Sequence, residues 1–179
     1  MVHPTTNYGP WIETFTGKKF HFQFPDPDEI CIEDIAHALA RICRYTGHVR
    51  AEHYSVAQHS VLVSHLKGTR VTQLAGLLHD AQEAYLGDLN SPLKSLLADY
   101  QIIEGNVQWA LILKYGLTGA DWKAIDAADT KVGYAEGRAF MANVGKWAGE
   151  GPFFIDPLPP MKAEALFLSR WGELTKCPK

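Results

Sequence analysis

The sequence predicts an all-α protein that carries a short β-hairpin at its N-terminus. Beyond residue 30, apolar residues recur at the three- and four-residue spacing that is typical of amphipathic helices. The segments with this pattern are bounded by residues that commonly begin or end helices, such as Ser55, Gly68 and Gly116. Residues 11–24 differ, because polar residues separate their apolar ones around Gly17, which indicates two short strands and a turn.

About six helices follow from this pattern. The first stops before Gly47, and Ser55 has the chemistry of an N-cap for the second. Ser91 followed by Pro92 is typical of a cap and a first helical residue, so a long fourth helix is expected there. Residues 118–121 resemble a capping box for the fifth, and the glycines and prolines of residues 145–160 indicate a loop. The predicted helices cover approximately residues 32–43, 56–66, 71–85, 92–115, 122–136 and 163–171.

The length and composition of the chain favour one domain. With 179 residues, 46% of them hydrophobic, the chain is long enough to bury one sizeable core. We expect a single domain over residues 1–179. Residues 1–30 would form the hairpin and a linker, 31–143 the helical core with the functional site, and 144–179 a loop and the C-terminal helix.

Charge and cysteine content exclude several classes of partner. A formal net charge of -3 provides no basic field for a polyanion, so long nucleic acid is not an expected partner. Cys31, Cys43 and Cys177 match no metal-ligand spacing, and we interpret them as reduced thiols of a cytosolic protein. Residues 1–10 lack the features of a signal peptide, and no apolar stretch is long enough to span a bilayer. We therefore expect a cytoplasmic protein without a membrane partner.

Ionisable residues stand on apolar helix faces at three places in the pattern. They are His59 in the second helix, His79 and Asp80 in the third, and Asp129 in the fifth. An unpaired charge among leucines costs several kcal/mol, and an unsatisfied neutral polar group costs about 1–3 kcal/mol. A divalent cation would compensate this cost, and a mixed nitrogen and oxygen ligand set suits Zn, Co, Mn, Fe or Ni. The sequence thus predicts one divalent transition metal ion per chain.

The segments around these four residues resemble the H…HD…D signature of HD-domain phosphohydrolases. They read YSVAQHS at 54–60, LLHDAQEA at 77–84 and AAD at 127–129, and the likeness extends over most of the chain, from residue 35 to about 140. Within that superfamily the sequence most resembles 5′-deoxynucleotidases and small phage-type dATP triphosphohydrolases. The resemblance implies an HD-domain helical bundle in which His59, His79, Asp80 and Asp129 bind the metal.

The resemblance also implies residues for proton transfer and for substrate binding. Glu83 and Asp88 match a family glutamate and aspartate that activate water and protonate the leaving oxygen. Arg44 matches an arginine that contacts phosphate, and Pro92 and Lys94 lie in a stretch that matches the loop closing over the nucleotide.

Two positions depart from the relatives. Tyr45 stands where the deoxynucleotidases commonly have a tryptophan, placed against the sugar so that a 2′-hydroxyl is excluded. Asp126 stands three residues before the last ligand, where related triphosphohydrolases carry a lysine. The number of phosphates on the substrate and the role of Tyr45 therefore stay open.

The predicted function is metal-dependent hydrolysis of the 5′ phosphate or triphosphate of 2′-deoxynucleotides. One alternative is a nucleotide sensor without turnover. Another is an HD-type di-iron oxygenase, for which His48, Glu52 and His53 are the only nearby spare ligands. The resemblance further implies a homo-oligomer, a dimer or a hexamer, in the cytoplasm, which would be the host cytoplasm for a phage-encoded protein.

Overall fold

The computed structural model describes residues 9–143, 145 and 155–176. Strands β1 (Trp11–Glu13) and β2 (Lys19–His21) pair in antiparallel fashion, as predicted for the N-terminal hairpin. Gly17 adopts a φ of 82° in the connecting turn, a conformation that a residue with a Cβ rarely adopts. Phe20 of β2 is completely buried and stacks on Tyr85, with 3.9 Å between ring centroids, so the hairpin is attached to the helical core.

The rest of the described chain is mostly helical, which confirms the all-α prediction. The α-helices are α1 (Ile32–Arg41), α2 (Val56–Ser64), α3 (Arg70–Leu78), α4 (Glu83–Leu86), α5 (Ser91–Lys94), α6 (Ala98–Tyr115), α7 (Trp122–Phe140) and α8 (Pro160–Thr175).

Helix α2 is the central element of the core. It packs against α1, α3, α7 and α8, and all of its residues except Leu62 are buried. Ser55 caps it as predicted, because its hydroxyl accepts a hydrogen bond from the Gln58 amide at 3.1 Å. His59 therefore lies in the protein interior, on a helix that neighbouring helices hold in place.

The long fourth helix predicted over residues 92–115 is wrong at its N-terminal end. Residues 95–97 separate the single turn of α5 from α6, and the Ser95 hydroxyl donates to the Pro92 carbonyl at 2.8 Å. Asn90, not Ser91, is the N-cap, because its side-chain oxygen accepts from the Leu93 amide at 3.1 Å.

Two other predicted helix boundaries are corrected. The third helix ends at Leu78, and a turn through His79 and Asp80 leads into the separate short helix α4. The capping-box prediction is wrong in its cap residue, because residues 117–119 form a 3-10 turn and Asp121 caps α7. The Asp121 carboxylate accepts from the Ala124 amide at 3.1 Å.

Part of the C-terminal prediction lies outside the described residues. They are residue 144, residues 146–154 of the predicted loop at 145–160, and Cys177. Among the residues that the structure describes, none of the helices is both long enough and apolar enough to cross a membrane.

Candidate metal centre

Four predicted ligands from three parts of the fold meet at one point. His59 comes from α2, His79 and Asp80 from the turn after α3, and Asp129 from the middle of α7. His59 Nε2 lies 3.2 Å from His79 Nε2, 3.0 Å from Asp129 Oδ1 and 3.5 Å from Asp80 Oδ2. His79 Nε2 lies 3.3 Å from Asp80 Oδ2 and 3.9 Å from Asp129 Oδ1. Ligand atoms at about 2.1 Å from one ion lie about 3.0–3.4 Å from their neighbours, so these separations suit a shared cation.

The most compact part of this group is a triad of His59, His79 and Asp80. One ligand atom from each lies within 4.8 Å of the others, and within the described parts of the chain this is the one cluster of at least three such side chains. His53, a spare ligand considered for a second metal, instead bonds the Ala40 carbonyl through Nε2 at 3.0 Å. The described residues therefore contain a candidate site for one ion.

Both histidines are oriented as metal-binding histidines usually are. His59 Nδ1 lies 2.6 Å from Glu136 Oε1, and His79 Nδ1 lies 2.9 Å from the Gly76 carbonyl oxygen. Because both of these partners only accept, each Nδ1 carries the proton and each neutral ring presents an unprotonated Nε2. Two unprotonated nitrogens at 3.2 Å repel each other unless a cation lies between them or one ring is protonated.

The carboxylates stabilise positive charge at this point. Burial and Arg44 oppose protonation of His59, but Glu136 and Asp129 outweigh them and raise its pKa to about 9. Burial likewise opposes ionisation of Asp129, yet the neighbouring His59 and His79 hold the pKa of this carboxyl well below its usual range. In the absence of an ion, a proton on His59 thus supplies the positive charge that the site requires.

Glu136 on α7 is the site residue whose role the sequence did not reveal. It is completely buried, and Oε1 accepts from Tyr54 and His59, both at 2.6 Å, while Oε2 accepts from Arg44 and Tyr45, both at 3.1 Å. Burial opposes its ionisation, but His59 and Arg44 lower the pKa of this carboxyl to about 2. Glu136 lies seven residues after Asp129 on the same predicted helix face, and this spacing was the available signal.

A cavity of about 470 Å³ adjoins two of the four predicted ligands, Asp80 and Asp129, and is lined by all of the other predicted site residues. Its walls include Arg44, Tyr45, Asp80, Glu83, Asp88, Pro92, Lys94 and Asp129. The size lies within the range of small-molecule sites. Because carboxylates outnumber cationic side chains in this lining, an anionic ligand needs additional positive charge here.

Two carboxylic acids line this cavity, of which Glu83 is buried and Asp88 half-buried. Glu83 is only 6% exposed, and its Oε2 has no hydrogen-bond partner among the described residues. Burial, with the carboxylates of Asp80 and Asp88, raises the pKa of Glu83 to about 10. Burial and Asp80 raise the pKa of Asp88 as well, although Arg44 opposes this shift. Glu83 can therefore hold a proton near neutral pH, as a general acid does.

The two cationic residues among the predicted substrate contacts, Arg44 and Lys94, each form an ion pair with a carboxylate of the protein. Arg44 pairs with Glu136 at 3.1 Å and approaches Asp80 at 3.5 Å, whereas Lys94 pairs with Glu104 of α6. Tyr45 lines the cavity while its hydroxyl donates to Glu136. The hydroxyl that distinguishes Tyr45 from a tryptophan is therefore held by Glu136 and does not need a ligand as its partner.

Comparison with known proteins gives relatives without a stated activity. No protein-family model matches the chain. The chain is 36% identical over 177 residues to the uncharacterized protein YfdR of Escherichia coli strain K12, covering 94% of this chain and 98% of YfdR. It is 38% identical over 133 residues to an uncharacterized protein of Rhodobacter capsulatus, covering 67% of each.

Proposed function

The chain belongs to the family of Escherichia coli YfdR, and we propose that it is a metal-dependent phosphohydrolase. Because the name of YfdR states no activity, this function is inferred from the site. The proposed substrates are 2′-deoxynucleotides, from which it removes the 5′ phosphate or triphosphate. The proposed ligands of the metal are His59, His79, Asp80 and Asp129. In this proposal the fold is an HD-domain bundle.

The observation that carries this proposal is the pair of facing imidazoles next to Asp80 and Asp129, which line the cavity. Two Nε2 atoms 3.2 Å apart, each on a ring whose Nδ1 is held by an acceptor, form a metal-binding arrangement, and two carboxylates complete it. A divalent cation bound there supplies a Lewis acid that polarises a phosphoryl oxygen and lowers the pKa of water. Purely structural metal sites are closed, whereas this cavity reaches the ligands Asp80 and Asp129. The site therefore fits a metal-dependent hydrolase better than a purely structural metal site.

The remaining side chains of the cavity have roles that fit phosphate transfer to water. Arg44 provides a fixed positive charge beside Asp80, and its guanidinium remains protonated because Glu136 and Asp80 raise its pKa despite burial. Lys94 brings a second cation to the cavity wall when a phosphate competes with Glu104 for it. Glu83 and Asp88 exchange the protons of the water and of the leaving 5′ oxygen.

The preference for deoxynucleotides rests on the resemblance and on Tyr45. The hydrogen bond from the Tyr45 hydroxyl to Glu136 fixes the ring of Tyr45. The ring therefore does not move aside to accommodate the 2′-hydroxyl of a ribose. Together with Pro92, which also lines the cavity, it would bracket the sugar or the base.

A panel of nucleotides tests the proposal. The full chain is stripped with chelator, reloaded with Mn, Co or Zn, and incubated with deoxy- and ribonucleoside mono-, di- and triphosphates, and the products are separated by chromatography. We expect deoxynucleoside with phosphate or triphosphate as products, and loss of turnover by at least about 100-fold in Asp80→Ala and Asp129→Ala. Asp99→Ala, at an exposed aspartate of α6, is the matched control and should retain full activity. Undiminished turnover in both ligand variants would contradict the proposal.

The same experiment separates the two alternatives. A nucleotide sensor would bind deoxynucleotides tightly and release no product with any metal. A di-iron oxygenase would contain two irons per chain, which the single cluster of ligands in the described residues disfavours.

A further inference from the structure

A second cavity, separate from the one beside the metal ligands, lies between α2, the segment that follows it and α7. Its volume is about 590 Å³, which is within the range of small-molecule sites. Its lining comes from residues 62–67, from residues 127–135 and from Ile155. None of these lining residues also lines the cavity at Asp80 and Asp129. An occupant of the second cavity is therefore not the substrate of the proposed metal site.

The walls of the second cavity are aliphatic. Val63, Val132, Ala135 and Ile155 line it and are buried, and the other apolar residues of its lining are leucines and alanines. Among the described lining residues there is no aromatic side chain on which a nucleobase could stack. The part of a ligand that enters this cavity should therefore be an aliphatic chain, whose burial favours binding through the hydrophobic effect.

Positive charge at the second cavity comes from Lys67 and Lys131, both of which are exposed. Lys94 and Lys114 each pair with a carboxylate, but Lys67 and Lys131 have no ion pair within the described parts of the chain. Partial burial lowers the pKa of His65, the remaining polar side chain of the lining, and so favours its neutral form. The lining thus presents two positive charges, which complement an anion.

The two cavities differ in charge. Asp80, Glu83, Asp88 and Asp129 line the cavity at the metal ligands, so an anion needs additional positive charge to bind there. None of the described residues that line the second cavity is acidic. A small organic anion can therefore bind in the second cavity without a metal ion.

We propose that the second cavity binds a free medium-chain amphipathic anion of the fatty-acid class. The hydrocarbon chain of this ligand packs against the aliphatic lining, and its carboxylate forms ion pairs with Lys67 and Lys131. A concave site with walls from two helices fits one free chain better than the flat surface of a membrane. The proposal does not depend on the proposed phosphohydrolase function.

Calorimetric titration of the full chain with decanoate tests this site. We expect saturable binding of about one decanoate per chain. The double variant Lys67→Glu, Lys131→Glu should bind decanoate about tenfold more weakly or less. The matched control is the double variant Lys123→Glu, Lys162→Glu, at two exposed lysines outside the lining, which should keep the wild-type affinity. Removal of metal with chelator should leave the affinity unchanged, because the two cavities share no lining residue.

Two further measurements separate the apolar and the charged part of the site. Ala127→Phe places a ring in the second cavity and should weaken decanoate binding, while the fold is kept because Ala127 is exposed. Decyltrimethylammonium has a chain of the same length with the opposite charge, so it should bind about tenfold more weakly than decanoate. Circular dichroism checks that each variant is folded.

Three results would overturn the proposal. The first is the absence of saturable decanoate binding to the wild type. The second is equal affinity of the Lys67→Glu, Lys131→Glu variant and the wild type for decanoate, or equal affinity of the wild type for decanoate and decyltrimethylammonium. The third is binding to vesicles of anionic phospholipid without binding of free decanoate, which would assign the lysines to a membrane surface.

Discussion

Replacing Glu136 with glutamine should weaken both the fold and the metal site. The carboxylate accepts hydrogen bonds from His59, Tyr54, Arg44 and Tyr45, and it is completely buried. An amide has one acceptor oxygen, so its NH2 group would face two of these donors. Removing one partner of a buried ion pair costs about 3–5 kcal/mol, and Arg44 would retain only Asp80, at 3.5 Å. Loss of the acceptor for a ligating histidine weakens metal binding by about 10- to 100-fold.

Two measurements on Glu136→Gln check these magnitudes. Urea unfolding of the metal-free protein should show a free energy lowered by about 3–5 kcal/mol. Titration with Co²⁺ should show the weaker binding. The matched control is Glu164→Gln, which removes a partly exposed ion pair with Arg41 and should cost about 1 kcal/mol at most without changing metal affinity. The reasoning fails if Glu136→Gln unfolds within about 1 kcal/mol of wild type and binds the ion equally well.

Three further changes have expected outcomes. Because the pKa of His59 is raised to about 9, a bound ion must displace the proton of this imidazole. The apparent affinity for Co²⁺ should therefore increase about tenfold per pH unit up to about pH 9. Calorimetry that detects no proton release on Co²⁺ binding at pH 7 would contradict this. The pKa of Glu83 is raised from 4.5 to about 10, so its contribution to stability is lost as pH rises toward 10. Unfolding of Glu83→Gln should therefore depend less on pH than that of wild type, and its turnover should fall by about 10²–10⁴-fold with metal binding retained. Ser55→Ala removes the N-cap of α2 and should lower the free energy of unfolding by about 1 kcal/mol. Ser95→Ala, at an exposed serine, is the control, and an equal loss of stability in this variant would argue against a specific capping effect of Ser55.

The two helices that carry His59 and Asp129 of the candidate metal site were predictable because their signals are local. Ser55 caps the helix that begins one residue later, and the apolar periodicity around His59 and Asp129 is contained within a few turns. Four ionisable residues on such faces indicate a shared compensating ion, since no local partner explains them. The fold brings these four side chains together, as the patterning implied.

The break between α5 and α6 could not be predicted in the same way. Residues 93–97 contain three leucines and neither glycine nor proline, so the local pattern continues as a helix. The Ser95 hydroxyl bonds the Pro92 carbonyl, and Lys94 is held by Glu104 ten residues later. These contacts depend on how α5 packs against α6, and intrinsic helix propensity does not encode this packing.

The partners of Arg44 and Tyr45 were also beyond sequence reasoning. Glu136 is more than 90 residues from Arg44 in sequence, and the spacing of the chain does not indicate that the two meet. Burial of Glu83 was missed for the same reason, because the turn after α3 redirects the chain between His79 and Glu83. Long-range packing, rather than helical periodicity, determined both.

The central claim is that four side chains bind one divalent cation, and metal content after reloading measures this most directly. The full chain is stripped with chelator, reloaded with Co²⁺ or Zn²⁺, desalted and analysed by elemental mass spectrometry. We predict about one ion per chain for wild type, and a strongly reduced content for His79→Gln and Asp129→Asn, both still folded. Wild-type protein without bound metal, or variants that bind as much as wild type, would contradict the claim.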